Sequence, residues 1–304
     1  MGTPDFAVPT LQALLDGPDT VVGVVCQPDR KKGRGKKLLP PPIKTKALAV
    51  GLPVLQPKNI RTDAFLEEVR ALAPDLIIVA AYGKILPGSL LNFPPMGTIN
   101  VHGSLLPKYR GAAPIQWALI NGDKETGVTI MQMDVGMDTG NILLPAKLPI
   151  TDTDTAGTLF EKLARLGGKT LLEALALLKE GKLKGIKQDD TLATEAPMLT
   201  KEQGHIDWNR PARELHCLIR GLDPWPSAYG FLGTKRFRFF SPEVVAYDGR
   251  ETPSTICKAD KQGLLIATGQ DALLIREIQP EGKKRMTVAA CLCGTSFSVG
   301  DRFT

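Results

Sequence analysis

Short apolar runs alternate with helix-like patterns through the first two-thirds of the chain, and this order strongly constrains the fold. Four runs are rich in Val, Ile or Thr: 20–26, 76–82, 97–101 and 127–133. Their apolarity is continuous, as in strands that are covered on both faces. Strands separated by helices predict a Rossmann-like α/β fold, with a mostly parallel sheet and helices on both faces.

Helical stripes lie between and after these runs. Thr62 is placed to cap a helix in which Phe65, Val69 and Leu72 recur at helical spacing. Two leucine stripes follow, at 159–166 and 171–178. We assign these apolar residues to the core and give them no functional role.

The texture of the sequence changes after Gly181. Residues 182–200 are polar, lack periodicity and contain a proline, which is typical of a linker. Strand-like segments then follow at 235–240, 254–258, 263–268 and 273–278, which indicate a small barrel or sandwich, here taken as an OB-like β-barrel. The sequence thus predicts an α/β domain at 1–181, a linker at 182–200 and a barrel domain at 201–304.

Composition excludes several classes of protein. No stretch approaches the roughly 18 apolar residues of a membrane span, and the first residues lack the order of a secretory signal, so we expect a cytoplasmic protein with no membrane partner. The five cysteines are scattered, which suits a reducing compartment. Cys291 and Cys293 have no second pair nearby, so no metal site is expected. The net charge of +6 is modest, so its clustering matters more than its sum.

The polar side chains that could form an active site are concentrated between Asn100 and Gly140. Asn100 and His102 are two residues apart at the end of a predicted strand, so their side chains point to the same side. Ligands of open α/β sheets bind beyond the carboxyl ends of the strands. Asp138 lies in a glycine-bounded loop after the next strand, which we expect to open on the same edge of the sheet. The three polar groups are therefore predicted to converge.

An amide, an imidazole and a carboxylate suit the direct transfer of an acyl group to an amine. The Asn100 amide and a protonated His102 can stabilise the negative charge that develops on the carbonyl oxygen. Asp138 can orient His102, which then acts as acid and base. Taken singly, each residue has a structural alternative, because Asn and Asp in Gly-rich loops usually form turns.

The order and spacing of this stretch resemble those of the folate-dependent formyltransferases. Asn100, His102 and Asp138 fall on the catalytic Asn-x-His and distal Asp of that family. The resemblance implies 10-formyltetrahydrofolate as the formyl donor, with no metal and no covalent enzyme intermediate. The SLLP segment falls on the folate loop of the family, so the implied folate-binding residues are Ser104, Leu105, Leu106 and Pro107.

Other segments of the chain bear on the acceptor. Members of this family formylate a purine precursor, nucleotide sugars, methionyl-tRNA or water. The segments MGTPDFAVPTLQAL, IRGLDPWPSAY and IQPEGKKRM resemble the branch that formylates methionyl initiator tRNA, and the match covers nearly the whole chain. The resemblance implies an enzyme of translation initiation whose partners are reduced folate and methionyl initiator tRNA, and we expect a monomer.

A basic segment supports a nucleic-acid partner. Six of the eight residues from 30 to 37 are basic, which suits the phosphates of a distorted acceptor stem; a solvated loop without a partner is the alternative. In the resembling branch this loop enters the acceptor arm, with Arg34 in the place of its principal arginine. The predicted tRNA contacts are Arg30, Lys31, Lys32, Arg34, Lys36 and Lys37, then Lys235, Arg236, Lys283, Lys284 and Arg285 in the second domain.

Three rival functions stay open. A formyltransferase of the same fold would act on an amino-sugar nucleotide, and its second domain would hold the sugar. A noncatalytic RNA-binding protein would bind tRNA whether or not His102 is present. A dinucleotide-dependent oxidoreductase is disfavoured, because no G-x-G-x-x-G opens the first helix.

The amino terminus departs from the family pattern. Family members begin with a short apolar strand ahead of the GTPDF turn, whereas Met1 stands directly before Gly2 here. That strand is central in a doubly wound sheet. Either the chain starts a few residues late or the fold is built differently, and we favour the first explanation. We expect this chain to be less stable than one extended by an apolar strand.

Overall fold

The computed structural model describes residues 1–32 and 37–304, which form two compact units. The first unit contains Met1–Pro114, Glu125–Pro149 and Phe160–Ala196. The second contains Ile115–Lys124, Ile150–Leu159 and Pro197–Thr304. The chain therefore enters the second unit in two short excursions before it stays there from Pro197 onward.

Alternating strands and helices build the chain up to residue 196. The helices are α1 (Ala7–Asp16), α2 (Pro42–Ala49), α3 (Asp63–Ala71), α4 (Gly88–Leu91), α5 (Pro114–Ile120) and α6 (Ala156–Lys179). The strands are β1 (Val24–Val25), β2 (Arg30–Lys32), β3 (Lys37–Leu39), β4 (Val54–Leu55), β5 (Ile77–Val79), β6 (Thr98–His102), β7 (Arg110–Gly111), β8 (Glu125–Gln132), β9 (Ile142–Pro149) and β10 (Glu195–Ala196).

Local sequence signals explain several of these elements. The Thr62 hydroxyl accepts a hydrogen bond from the backbone N–H of Phe65 and so caps α3. The two leucine stripes merge into the single 24-residue helix α6. β1 pairs with β4 and β5 pairs with β6, both in parallel. The Rossmann-like α/β architecture predicted from the sequence is therefore confirmed.

One strand of the main sheet runs against the direction that we expected. β8 is antiparallel to β6, with His102 opposite Thr129, and β9 is antiparallel to β8. We predicted a mostly parallel sheet and expected the loop after 127–133 to start at the edge where β6 ends, which would need a parallel strand, whereas this strand is antiparallel to β6. Continuous apolarity reports that a strand is buried on both faces, and six of the eight residues of β8 are buried, but it carries no information about direction.

The segment expected as a linker, 182–200, makes regular contacts in its first part. Ile186 exchanges two backbone hydrogen bonds of 2.8 Å with Ile142. Farther along, β10 pairs in parallel with β7, which places Ala196 beside Gly111. Residues 182–196 thus belong to the first compact unit. Their polar composition is compatible with an ordered path because their backbone groups find partners.

The second unit is built on an antiparallel sheet. Its elements from Pro197 onward are α7 (Ala212–Gly221), β11 (Ala228–Leu232), β12 (Lys235–Val245), β13 (Ile256–Asp260), β14 (Gly263–Ala267), β15 (Ala272–Pro280), β16 (Met286–Thr287) and α8 (Val288–Cys291). The strand order is β11-β12-β15-β14-β13, and β16 lies beside β15. Phe237 and Phe239 are buried in this unit, as the alternation of β12 predicts.

The last residues of the chain join the two edges of that sheet. Phe231 of β11 exchanges two backbone hydrogen bonds with Thr304. On the other edge, Ile256 of β13 donates its N–H to the carbonyl of Asp301. The sheet is thereby closed into the barrel that the glycine-punctuated strands predicted.

Met1 and Gly2 lie between β1 and β5. The Gly2 N–H donates to the carbonyl of Val25, and the Ala80 N–H donates to the carbonyl of Met1. A cavity of about 540 Å³ lies beside them, with a mostly apolar wall that includes Leu11, Val24, Ile77 and Leu175. The Met1 amino group is buried, and desolvation lowers its pKa to about 5.

We expect a short apolar strand joined ahead of Met1 to stabilise the protein by filling this cavity. Five or six Val- or Ile-rich residues would bury apolar surface between β1 and β5 and raise Tm by at least about 5 °C. The measurement is thermal unfolding of the unextended and of the extended protein under the same conditions. Equal Tm values would contradict the prediction.

The control is a Gly/Ser extension of the same length, which should leave Tm at pH 8 unchanged because it has no apolar side chains to bury. The pH dependence gives a second check. With a folded pKa of about 5 against an ordinary value of 8.0, the Met1 amine binds a proton more readily in the unfolded chain. The unextended protein therefore loses stability as pH falls from 8 towards 5. An apolar extension removes this amine from the cavity, so its Tm advantage should widen over that range.

Candidate active site

Strand β6 carries the first two residues of the predicted site. Asn100 and His102 stand two residues apart on one strand, so their side chains share a face of the sheet. Both are buried, with only 9% and 5% of their surfaces exposed. Among the residues that the structure describes, none forms a hydrogen bond with the Asn100 amide. A buried amide without a protein partner is available to a ligand.

The hydrogen bond of His102 defines the role of each ring nitrogen. Nε2 lies 2.9 Å from the carbonyl oxygen of Tyr109. Because a carbonyl can only accept, Nε2 must carry a hydrogen. Nδ1 faces the Asp138 carboxylate, with 3.6 Å between Nδ1 and Oδ2. Nδ1 is therefore the nitrogen that can gain or lose a proton in the site.

Asp138 is held in place by its backbone and its carboxylate. Its φ is +56°, in the left-handed region that Asp tolerates better than most residues. Oδ2 accepts a hydrogen bond of 2.9 Å from the backbone N–H of Gly111. Because β8 is antiparallel to β6, the loop that carries Asp138 starts beside the beginning of β6 and not beside its end. The structure nevertheless brings Asp138 to His102.

The SLLP loop follows His102 and is fixed by internal hydrogen bonds. The Ser104 hydroxyl is buried and donates to the carbonyl of Lys108 at 2.6 Å. The Thr129 hydroxyl donates to the Ser104 carbonyl and accepts from the Leu106 N–H. Leu105 lies against Gly127. The Ser104 hydroxyl thus serves the shape of the loop, while Leu105 and Pro107 are partly exposed.

The basic segment forms a two-stranded hairpin where it is described. β2 and β3 pair in antiparallel register, with Lys31 opposite Leu38. The side chains of Arg30, Lys31 and Lys37 are exposed. The backbone of Lys32 lies in β2, and the predicted contacts at Arg34 and Lys36 lie outside the described residues.

A hydrogen-bonded network fixes the residue ahead of the hairpin. Lys44 Nζ lies 2.9 Å from both carboxylate oxygens of Asp29, and Gln56 Nε2 donates to Oδ1 at 2.7 Å. The bonds from Gln56 and Lys44 lower the pKa of the Asp29 carboxyl. Gln56 also donates to the carbonyl of Gln27. The stem of the hairpin is thereby tied to α2 and to the end of β4.

The hairpin leaves the sheet at the edge where His102 lies. Val25, the last residue of β1, and Ala80, which follows β5, both contact the Met1–Gly2 segment. β5 and β6 are parallel, so β6 ends at the same edge, in His102. An acceptor held by the hairpin would therefore be on the side of the sheet where the candidate site opens.

The basic residues predicted in the second unit fall into two groups. Lys235, Lys283 and Lys284 are exposed, and no ion pair among the described residues involves them. Arg236 lies 3.4 Å from Glu281. Arg285 is engaged more closely: it pairs with Asp223 at 3.0 Å and Glu277 at 2.6 Å, and it lies 4.1 Å from the centroid of the Phe240 ring.

Two residues that support the loop at 109–111 were not predicted from the sequence. Gln188 and Thr194, both in the expected linker, hydrogen-bond to Arg110 and Tyr109. No sequence pattern marks them, because their partners lie 78 and 85 residues away. In the described part of the chain, no group of three or more His, Cys, Asp or Glu side chains is placed to hold a metal ion.

No helix among the described residues combines the length and the apolarity that a bilayer crossing needs.

Both units match known protein families. Residues 1–175 match the family described as formyl transferase, and residues 198–296 match the formyl transferase C-terminal domain. The methionyl-tRNA formyltransferase of Desulfotalea psychrophila is 62% identical over 297 residues, which cover 98% of this chain and 92% of the relative. That of Caldanaerobacter subterraneus is 50% identical over 301 residues, with coverage of 99% and 97%.

A solved structure supports the fold. An N-formyltransferase from Helicobacter canadensis, in complex with folinic acid and dTDP-3-aminofucose, superposes with a TM-score of 0.67. The two chains are 18% identical, and the match covers 94% of this chain and 97% of the other. At this level of identity the likeness shows a shared fold and no more.

Proposed function

Because the chain belongs to the formyl transferase family, we propose that it transfers the formyl group of 10-formyltetrahydrofolate to the amino group of methionyl initiator tRNA. The product is N-formylmethionyl-tRNA, which initiates translation. We choose this acceptor because the chain is 62% and 50% identical to two methionyl-tRNA formyltransferases over nearly its full length. The N-formyltransferase in complex with dTDP-3-aminofucose shares only the fold, at 18% identity.

Asn100 and His102 stabilise the charge that develops during transfer. The amine of the methionyl group attacks the formyl carbon, a C–N bond forms, and the carbonyl oxygen becomes an oxyanion. The unpartnered Asn100 amide donates a hydrogen bond to this oxygen, as does His102 when Nδ1 is protonated. Collapse of the intermediate breaks the bond between the formyl carbon and N10 of the folate, and the oxyanion becomes a carbonyl again.

His102 and Asp138 handle the proton. The attacking amine must lose a proton and the leaving N10 must gain one, so one group can serve both steps. Nδ1 of His102 is suited to this role because Nε2 is held by the Tyr109 carbonyl. The Asp138 carboxylate, 3.6 Å from Nδ1, stabilises the imidazolium when Nδ1 is protonated. The SLLP loop, Ser104 to Pro107, lies next to His102 in the chain and supplies folate contacts.

The tRNA interface that we propose consists of the exposed basic side chains. Arg30, Lys31 and Lys37 on the hairpin bind phosphates of the acceptor arm, together with Lys32, Arg34 and Lys36. In the second unit, Lys235, Lys283 and Lys284 are the better candidates, because Arg236 and Arg285 are engaged in ion pairs. We propose that the enzyme acts as a monomer in the cytoplasm. Sedimentation at the enzyme concentrations used in the assay measures the oligomeric state.

The function is tested by offering different formyl acceptors. Methionyl initiator tRNA, free methionine and an amino-sugar nucleotide are each incubated with the protein and 10-formyltetrahydrofolate, and the formylated product is quantified. We expect rapid product on the charged tRNA and none on the other two. Transfer to the sugar nucleotide at the rate seen on tRNA would establish the rival formyltransferase. Undiminished tRNA binding without any product would favour a noncatalytic RNA-binding protein.

Removal of basic side chains from the hairpin should weaken tRNA binding and reduce its dependence on salt. In Lys31→Gln/Lys37→Gln, two charges disappear while the backbone pairing of β2 and β3 remains. We expect the Kd for tRNA to rise about 10-fold, and its logarithmic dependence on salt to become shallower by about 0.7–0.9 for each phosphate that is no longer neutralised. Filter binding over a salt series measures both quantities.

The matched control removes two exposed charges elsewhere in the first unit. Arg165→Gln/Lys169→Gln lies on α6 and alters the net charge equally. It should leave the tRNA affinity and its salt dependence within error of the unaltered protein. Equal effects of the two double variants would mean that net charge, and not a hairpin contact, governs binding.

A further inference from the structure

We propose that Gln188 is a positioning residue for Asp138, and that it acts by holding the backbone of the Asp138 loop. This inference rests on the proposed function, because it assigns to Gln188 a part in formyl transfer. Gln188 lies in the polar segment whose composition suggested a linker, yet only 5% of its surface is exposed. Its side chain makes hydrogen bonds in two opposite directions.

The nitrogen of the Gln188 amide forms hydrogen bonds with the loop that carries Asp138. Nε2 donates to the carbonyl of Asp138 at 2.8 Å and to the carbonyl of Gly140 at 2.7 Å. Both protons of the amide nitrogen are therefore used on two backbone carbonyls of one loop. These bonds restrain the 138–139 and 140–141 peptide groups, immediately beyond the carboxylate-bearing residue.

The other side of the amide is fixed by Arg110. The Arg110 Nε and Nη2 atoms donate to Oε1 of Gln188 at 3.0 and 2.8 Å. Arg110 also pairs with Asp190 at 2.8 Å. Because a guanidinium can only donate, Oε1 must face Arg110 and Nε2 must face the loop. The amide orientation is therefore determined by its partners.

Arg110 belongs to the same short loop that binds both catalytic side chains. The Tyr109 carbonyl accepts from His102, and the Gly111 N–H donates to Asp138. Thr194 in turn holds this loop: its hydroxyl accepts from the Tyr109 N–H at 2.9 Å, and its carbonyl accepts from the Arg110 N–H at 2.8 Å. Residues 188–196 thus support the contacts that set the distance between His102 and Asp138.

The backbone conformations in the site need such support. Tyr109 has a φ of +64° and Asp138 a φ of +56°. Residues other than glycine stay in this region only where the surrounding contacts hold them. Gln188 supplies two of those contacts at Asp138 and Gly140, so its loss should let the loop relax and move the carboxylate away from Nδ1 of His102.

Gln188→Glu separates the two halves of this interaction. A glutamate keeps the length and the acceptor for Arg110, but it cannot donate to the Asp138 and Gly140 carbonyls and it repels them. We expect kcat for formyl transfer to methionyl-tRNA to fall about 10- to 100-fold, because a small misplacement of a catalytic group has an effect of this size. The KM values for folate and tRNA should stay within about twofold.

A double-mutant cycle with Asp138→Ala distinguishes positioning from general damage. If Gln188 acts through the carboxylate, Gln188→Glu should change the residual single-turnover rate of the Asp138→Ala protein less than twofold. An equal fold loss in both backgrounds would overturn the proposal, as would a Gln188→Glu protein with kcat within twofold of the unaltered protein. Gln188→Met, which is neutral and of similar length, serves if the glutamate lowers Tm strongly.

The control is the same chemical change at an exposed site. Gln203→Glu adds one negative charge and keeps the acceptor that binds the Thr200 N–H, so its kcat should match that of the unaltered protein. The unaltered protein is assayed first. Absence of transfer to methionyl-tRNA at that stage would refute the proposed function and this inference with it, whereas an active protein unaffected by Gln188→Glu would refute the inference alone.

Discussion

Replacing His102 by alanine lowers the single-turnover rate of formyl transfer by about 10³-fold, within the range typical for loss of a general acid–base group. The reason is that Nδ1 is the nitrogen free to exchange a proton, since Nε2 is bound to the Tyr109 carbonyl. The measurement is rapid-quench formation of N-formylmethionyl-tRNA with enzyme in excess of substrate.

His102→Gln distinguishes proton transfer from structural support. A glutamine amide can still donate to the Tyr109 carbonyl, but it does not titrate. We therefore expect His102→Gln to be as slow as His102→Ala even where its Tm is close to that of the unaltered protein. A glutamine variant that keeps more than a tenth of the original rate would show that the histidine is structural.

Replacing Asn100 by alanine lowers kcat by about 10²- to 10³-fold, the usual effect of removing one donor to a developing oxyanion. The Asn100 side chain is 9% exposed and without a protein partner among the described residues, so its removal disturbs little of the fold. Binding of folate, measured by fluorescence titration, should change less than about threefold, because the donor acts chiefly on the transition state.

Asn100→Asp sharpens this test. The side chain keeps its size, but a carboxylate would face the carbonyl oxygen as negative charge builds on it. We expect a rate no higher than that of Asn100→Ala. An aspartate variant that works as well as the unaltered protein would exclude the role of the Asn100 amide as an oxyanion donor.

Local patterns were sufficient to predict several elements of the fold. The Thr62 cap, the leucine stripes of α6 and the alternation of Phe237 and Phe239 each depend on neighbours a few residues away. The same holds for Asn100 and His102, whose two-residue spacing on a strand puts both side chains on one face. Such relations are local in the chain, so a single sequence contains them.

Relations between distant segments could not be predicted in this way. The direction of β8 depends on how the chain returns after the loop at 103–113. The apolar pattern of a buried strand does not depend on its direction. The polar composition of 182–200 was ambiguous for a related reason. A buried Gln188 and an exposed glutamine look alike in the sequence, because what distinguishes them is an arginine 78 residues earlier in the chain.

The support that residues 188–196 give to the loop at 109–111 has a consequence for the order of events during synthesis. Domains emerge from the ribosome amino terminus first, so Asn100, His102 and Asp138 are made before their support exists. Gln188 lies 50 residues beyond Asp138. On the roles proposed for these residues, the nascent α/β unit has its catalytic side chains before the contacts that hold them, and we expect formyl transfer only after this late segment docks.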